Sequence, residues 1–288
     1  MLQRGQWQFL LPALVVGANL AHAILPGPRW SQGCASVNRV LYCYGGSAGS
    51  YSDGTPHIYN DMYKLDFMTN LDVSDLSVSW DSVNLSSQPN PGYNWEMAIA
   101  ASQELGILVM DGGSGKQDGV PLTYQTMIYH VSNGTWEAIS NDVSPLQMHQ
   151  EPMVTVNDTK MYRWSGFAKM QLGVPQPNNG TIWADNRMFV LDLLTKSWSA
   201  ISPQNVGNIP IRTGHSATLS PDGNSIYYFG GLDMVPVTDA AGKTTYQTPV
   251  ADMLNVLVYN TITTQFQTVR GTGDKPTNRT LATTTLSK

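Results

Sequence analysis

Charge is scarce in this sequence. Asp, Glu, Lys and Arg make up 13% of its 288 residues, about half the ~25% usual in a globular chain. That shortage excludes a charged disordered tail and a coiled coil. Cysteine is scarcer still, with only two residues, so a cysteine-rich disulfide scaffold cannot be built. No two Lys or Arg residues are adjacent and the formal net charge is −5. Binding to phosphate backbones needs a concentrated basic face, so no nucleic-acid partner is expected. The longest apolar stretch, 9–20, is broken by Pro12, Gly17 and Asn19 and falls short of the ~20 residues a spanning helix needs. Gly and Pro are spread along the chain at about 15% together, which excludes collagen and low complexity. What remains is turn-rich and aromatic, with 13 Tyr and 8 Trp.

Residues 1–23 read as a secretory leader: Arg4 gives a positive start, 9–20 the apolar stretch, and Ala21-His22-Ala23 a small-x-small cleavage site. A secreted chain gives the cysteines a role. Cys34 and Cys43 are symmetric about Asn38-Arg39, so a two-residue hairpin turn there sets them face to face as a candidate disulfide, with two buried thiols as the alternative. Five Asn-x-Ser/Thr sequons, at Asn84, Asn133, Asn157, Asn179 and Asn278, are candidate glycosylation sites, each in an expected turn or loop.

The chain repeats. A short apolar run ending in glycine occurs as VLYCYGG (40–46), ILVMDGG (107–113), MYRWSG (161–166) and IYYFGG (226–231). Each is followed by a long polar segment and a second apolar run: MYKLDF (62–67), TMIYHV (126–131), RMFVLDL (187–193) and NVLVYN (255–260). An aromatic closes each unit, at Trp80, Trp136, Trp198 and Phe266; in the last three it stands seven residues after Tyr129, Leu191 and Tyr259. A further element opens each unit, clearest as RTGHSATL (212–219) and begun again in NRTLATTTL (278–286). Each unit thus predicts four short antiparallel strands, and such units bury their faces by packing side by side. The glycines and Trp80, Trp136 and Trp198 are expected to be packing residues rather than a site.

These residues resemble the kelch-repeat family, marked by a strand ending in Gly-Gly, a Tyr, and a Trp seven residues on. Departures are Ser165 for a glycine, Leu191 for the Tyr, Phe266 for the Trp, and an insertion before Trp80. The resemblance covers about 28–288 and implies an all-β kelch-type β-propeller of four four-stranded blades (about 28–83, 92–139, 148–201 and 211–269) plus the start of a fifth at 276–288. Two readings of that last segment stay open: the sequence is a piece of a longer propeller, or 276–288 caps a small ring.

In such a blade the short turns lie on one face and the long segments 47–61, 114–126, 167–187 and 232–253 on the other. Long segments on a rigid scaffold are the usual place for binding. Each carries an aromatic, Tyr51, Tyr124, Trp183 and Tyr246, which are the candidate binding residues. The expectation is a secreted or cell-surface binding module for protein or carbohydrate, touching a membrane only through an anchor beyond residue 288. One alternative is an extracellular copper radical oxidase resembling galactose oxidase, its site on blades outside this sequence; another is an intracellular adaptor. The four histidines after the leader, His57, His130, His149 and His215, fall in different contexts without metal-ligand spacing. No catalytic residue, metal ligand or cofactor is therefore assigned. GGSGK (112–116) lacks the spacing of a phosphate loop, and Asp222-Gly223-Asn224 reads as a turn.

Overall fold

A computed structural model describes residues 25–49, 57–68, 80–116, 120–144, 146–171, 182–202, 209–242 and 244–284. The expected leader, Tyr51 and Asn179 lie outside these residues. Among the described residues the protein is all-β, without a helix. The sequence units become four antiparallel meanders of four strands each. The first comprises Gly33–Val37, Val40–Tyr44, Met62–Asp66 and Asp81–Ser82. The second comprises Ala98–Ser102, Ile107–Asp111, Thr126–His130 and Thr135–Ile139. The third comprises Met153–Val156, Lys160–Trp164, Met188–Asp192 and Ser197–Ile201. The fourth comprises Ser216–Leu219, Ser225–Phe229, Asn255–Asn260 and Gln265–Arg270.

Turn chemistry fixes the registers. Asn38 and Arg39 both have positive φ, 50° and 67°, which matches the twist of the flanking strands. Cys34 then pairs with Cys43 across the ladder, and the two form a disulfide. The seven-residue aromatic offset is a hairpin register: Tyr129 faces Trp136, Leu191 faces Trp198, and Tyr259 faces Phe266.

Successive sheets pack face to face, because alternate residues of each strand serve different neighbours. Leu108 and Met110 join Tyr42, Tyr44 and Trp136 between units one and two. From the same strand, Ile107 and Val109 join Met161, Leu191 and Trp198 between units two and three. Tyr162 and Trp164 turn the other way, to Tyr228, Tyr259 and Phe266 of unit four. The closing aromatics of units two to four thus pack against the preceding unit. Trp80 is half-buried and lines a hollow of ≈ 210 Å³ with Leu25, Arg29, Cys43 and Tyr63.

The opening strands of consecutive units lie side by side, and just before each strand comes one residue in the left-handed region. These are Ser31, Glu96, Gln150 and Gly214, with Leu281 as a fifth, at φ of 52°, 58°, 56°, 60° and 54°. Each backbone N–H donates to the carbonyl of the one before. Glu96 donates to Ser31 at 3.0 Å, Gln150 to Glu96 at 3.1 Å, Gly214 to Gln150 at 2.9 Å, and Leu281 to Gly214 at 2.7 Å. A second set of bonds joins the glycines to the next unit: Gly46 to Asn94 O, Gly113 to Met148 O, Gly166 to Arg212 O and Gly231 to Arg279 O, at 2.8–2.9 Å. Arg279 and Leu281 therefore occupy, relative to unit four, the place that Arg212 and Gly214 occupy relative to unit three. Residues 276–284 nevertheless carry no strand. The arrangement is compatible with a propeller.

Three of the four long segments differ from the polar loops expected. Phe167–Gln171 and Trp183–Ala184 form a small sheet with Leu146–His149, and Leu232–Thr238 and Thr244–Gln247 form another with Ile211–Thr213. Ser47–Ala48 pairs with His57–Ile58. The connections before the opening strands supply the extra edges, so these segments extend the scaffold outward from the Gly-Gly corners.

Candidate functional site at the loop face

Of the four aromatic candidates, three fall on described residues. Tyr124 is half-buried against the core between units one and two. Trp183 is half-buried and pairs across its ladder with Ala168, and Tyr246 pairs with Pro236. They belong to units two, three and four. The sequon asparagines Asn84, Asn133, Asn157 and Asn278 are all exposed. The Asn84 and Asn133 side-chain oxygens accept backbone bonds from Ser86 and Thr135 within their own turns.

Beneath the face lies a layer of buried arginines, each paired with carboxylates. Arg29 forks onto Asp61, at 2.5 and 3.2 Å, and lies over the Tyr59 ring at 4.0 Å. Arg212 meets Asp233 at 2.7 Å, so Arg at the same place in units one and four is paired with an acid of its own unit. Between units two and three, Arg163 is held by Asp111 at 2.8 Å and by both oxygens of Glu151 at 3.1 Å, above the Phe189 ring. Asp111 also accepts from the Thr126 hydroxyl, which in turn accepts from the Trp198 indole at 3.1 Å. Burial pushes the Glu151 carboxyl up to about 8; Arg163 opposes the shift and Asp111 adds to it.

At the centre is a cavity of ≈ 670 Å³, walled by the turns and opening strands of all four units together with 281–284. Glu96 and Glu151 are the acidic residues lining it, among the described residues. The Glu96 side chain is 8% exposed and accepts from the Gln150 amide at 2.5 Å. Gln150 is itself approached by the Thr213 hydroxyl at 3.4 Å. His215, also on the wall, is 5% exposed, with neither ring nitrogen in a well-formed hydrogen bond. Burial, then Arg212, lowers its pKa to about 3, against a weaker upward pull from the Trp164 backbone, so the ring is neutral at physiological pH. His149 is 1% exposed and stacks on Phe167, its Nδ1 3.7 Å from Glu96.

Sequence reasoning did not single out Glu96, Gln150 or the cavity. Ser, Glu, Gln, Gly and Leu share no side-chain chemistry; what aligns them is a backbone angle, which leaves no mark on residue type. Among the described residues no three His, Cys, Asp or Glu side chains gather as a metal-binding set. The recess is polar and acid-bearing and lies within a frame of small sheets.

Fold and site define an all-β protein of repeated four-stranded sheets with a recess between their opening strands. No family model matches the chain. Among curated proteins it is similar to a leucine-zipper-like transcriptional regulator 1 homolog of Drosophila melanogaster, with 27% identity over 216 residues. The match covers 72% of this chain and 19% of that protein, so the chain spans about a fifth of the relative's length.

Proposed function

We propose that the chain is a kelch-type propeller module, secreted or displayed at the cell surface, that binds protein or glycan through its long-segment face. In this reading the four meanders are blades and 276–288 begins a fifth. The observation that carries it is the coincidence, on one side of the scaffold, of the long segments, the Arg–carboxylate pairs and the central recess. Rigid supports of this kind hold a binding surface in shape. The likeness to the Drosophila protein supports the repeat class. The Cys34–Cys43 disulfide favours an oxidising compartment, and the exposed sequons suit glycosylation.

The test is expression of the chain through a secretory pathway, glycopeptide mapping, and binding to a panel of immobilised glycans and extracellular proteins. Occupied sequons and saturable binding are expected, with binding weakened at least about tenfold by the combined substitution Tyr124→Ala, Trp183→Ala and Tyr246→Ala. Trp183 and Tyr246 supply contact area, and because Tyr124 also packs against the core between units one and two, the thermal midpoint checks that the variant is folded. Binding that survives the triple substitution unchanged would place recognition elsewhere, and unoccupied sequons with a free Met1 would argue for an intracellular protein.

A further inference from the structure

We propose that the central cavity is a receptor for a cationic nitrogen group, an alkylammonium or guanidinium of the lysine or arginine type, with Glu96 as its counter-ion. The inference deepens the binding-module reading and rests on it only for which face meets ligand. Three observations lead to it.

The first is charge. The acidic residues on the wall are Glu96 and Glu151, the latter turned onto Arg163 and fully enclosed, and no Lys or Arg lines the cavity among the described residues. The nearby Arg163 is enclosed by Asp111 and Glu151, so its charge is spent within its own cluster. Arg212, the cation that acts on His215, is paired with Asp233, so an anionic ligand would meet no unpaired cation there.

The second is an incomplete ion site. The Glu96 side chain is more than nine-tenths buried, and its one hydrogen bond within 3.5 Å comes from a neutral amide, that of Gln150. Its other oxygen faces His149 Nδ1 at 3.7 Å, beyond hydrogen-bond reach. A buried carboxylate without a hydrogen-bonded cation is costly, and a ligand that brings the cation relieves that cost.

The third is His215. It belongs to the cavity wall; its buried, neutral ring packs edge-on against Trp164 and Tyr228 and lies beside the Trp164 backbone, with both nitrogens outside hydrogen-bond limits. A neutral imidazole has one nitrogen that accepts, and an ammonium or guanidinium has several N–H groups to give. Met97, Ile99 and Met153 line the same cavity and offer apolar surface to the stem of a long basic side chain, which buries its methylenes while its head seeks charge.

The experiment uses the full chain and small probes: Nα-acetyl-lysine methylamide, Nα-acetyl-arginine methylamide, their neutral counterparts carrying Nε-acetyl-lysine or citrulline, and free butylamine. Titration calorimetry or ligand-observed NMR is expected to show saturable binding of the cations, at least about tenfold tighter than the neutral forms. Glu96→Gln keeps the side-chain shape and its hydrogen bond to Gln150 and should weaken cation binding at least about tenfold, with the thermal midpoint as a check on folding. Tighter binding of the capped amino acids than of butylamine assigns the ligand to a side chain of a polypeptide; equal binding assigns it to a free amine. The inference is overturned if the neutral forms bind as well as the cations, if no probe saturates, or if a folded Glu96→Gln binds as the parent does. The wild-type comparison of cation with neutral form decides the matter even if that variant fails to fold. Loss of cation binding in Glu96→Gln with binding to the glycan and protein panel retained separates this inference from the binding-face proposal.

Discussion

Gly112 and Gly106 are both left-handed, at φ of 66° and 62°, yet they do different work. A Cβ on Gly106 would meet nothing within 4 Å, whereas one on Gly112 would stand 2.4 Å from the Met148 carbonyl of the next unit. Gly106→Ala should therefore cost only the left-handed penalty, ~1–2 kcal/mol. Gly112→Ala adds a backbone clash and should cost clearly more, as urea denaturation of the pair will show. Equal losses would mean the close approach between units is unimportant. Ser165 shows how unit three tolerates a side chain at this corner: it keeps φ at 67°, and its hydroxyl accepts the Arg212 N–H at 2.7 Å. Glu151 gives a second prediction at this scale. Its folded-state pKa, about 8, lies above the ordinary 4.5 because burial disfavours the charged form. The folded state therefore holds a proton that the unfolded state releases, and stability falls as pH rises from about 4.5 to about 8. His215 works in the opposite sense, its pKa lowered from 6.5 to about 3, and its contribution is complete above about pH 6.5. The thermal midpoint should therefore drop between pH 6.5 and 8, and Glu151→Gln should flatten that drop. A midpoint constant across this interval in the parent would remove the case for a protonated Glu151.

At the scale of the element, the opening hairpin of unit one is the place to measure what local closure contributes. The disulfide joins Cys34 to Cys43, nine residues apart, directly across the ladder. Chain-entropy arguments give a loop of this length about 2–3 kcal/mol of stabilisation. Replacing both cysteines by serine should lower stability by about that much while leaving the far-ultraviolet spectrum unchanged; a negligible loss would mean unit one is held by its neighbour alone. This hairpin was legible in the sequence because its turn and its cysteines share one centre of symmetry. The strands were legible for a related reason: Ile107–Asp111 and its counterparts in units one and four carry a Gly-Gly stop, and the hairpin register appears directly as the seven-residue step from Tyr129 to Trp136. The long segments were not. Val235, Val237, Thr244 and Tyr246 sit among polar residues and become a ladder only because Ile211–Thr213 lends an edge to Leu232–Thr238. The candidate site was legible only as a face. Its aromatics could be listed by segment, but Glu96 lies in a connection whose backbone angle, not its residue type, repeats.

Across the whole molecule, the four sheets differ in how many faces they cover. Sheets two and three are sandwiched, and every residue of Ile107–Asp111 is buried. Sheet one packs one face on sheet two, while Cys34, Cys43 and Tyr63 stand together on the other side of its ladder. In sheet four, Tyr228 is buried against unit three while its strand neighbours Tyr227 and Phe229 are only partly covered. Repeats that touch only their neighbours gain stability from each interface, so an end unit with one interface opens more readily than an inner unit with two. Hydrogen exchange should therefore be slowest in Ile107–Asp111 and Lys160–Trp164, and faster in Val40–Tyr44 and Ser225–Phe229. The disulfide should narrow the gap at the first unit but not at the fourth, because it reduces the freedom of one hairpin without covering a face. That asymmetry separates local closure from packing: reducing the disulfide should quicken exchange in unit one alone. If all four second strands instead exchange at one rate, the sheets open as a single cooperative body. Contacts beyond the three shared cores would then have to cover the outer faces of units one and four.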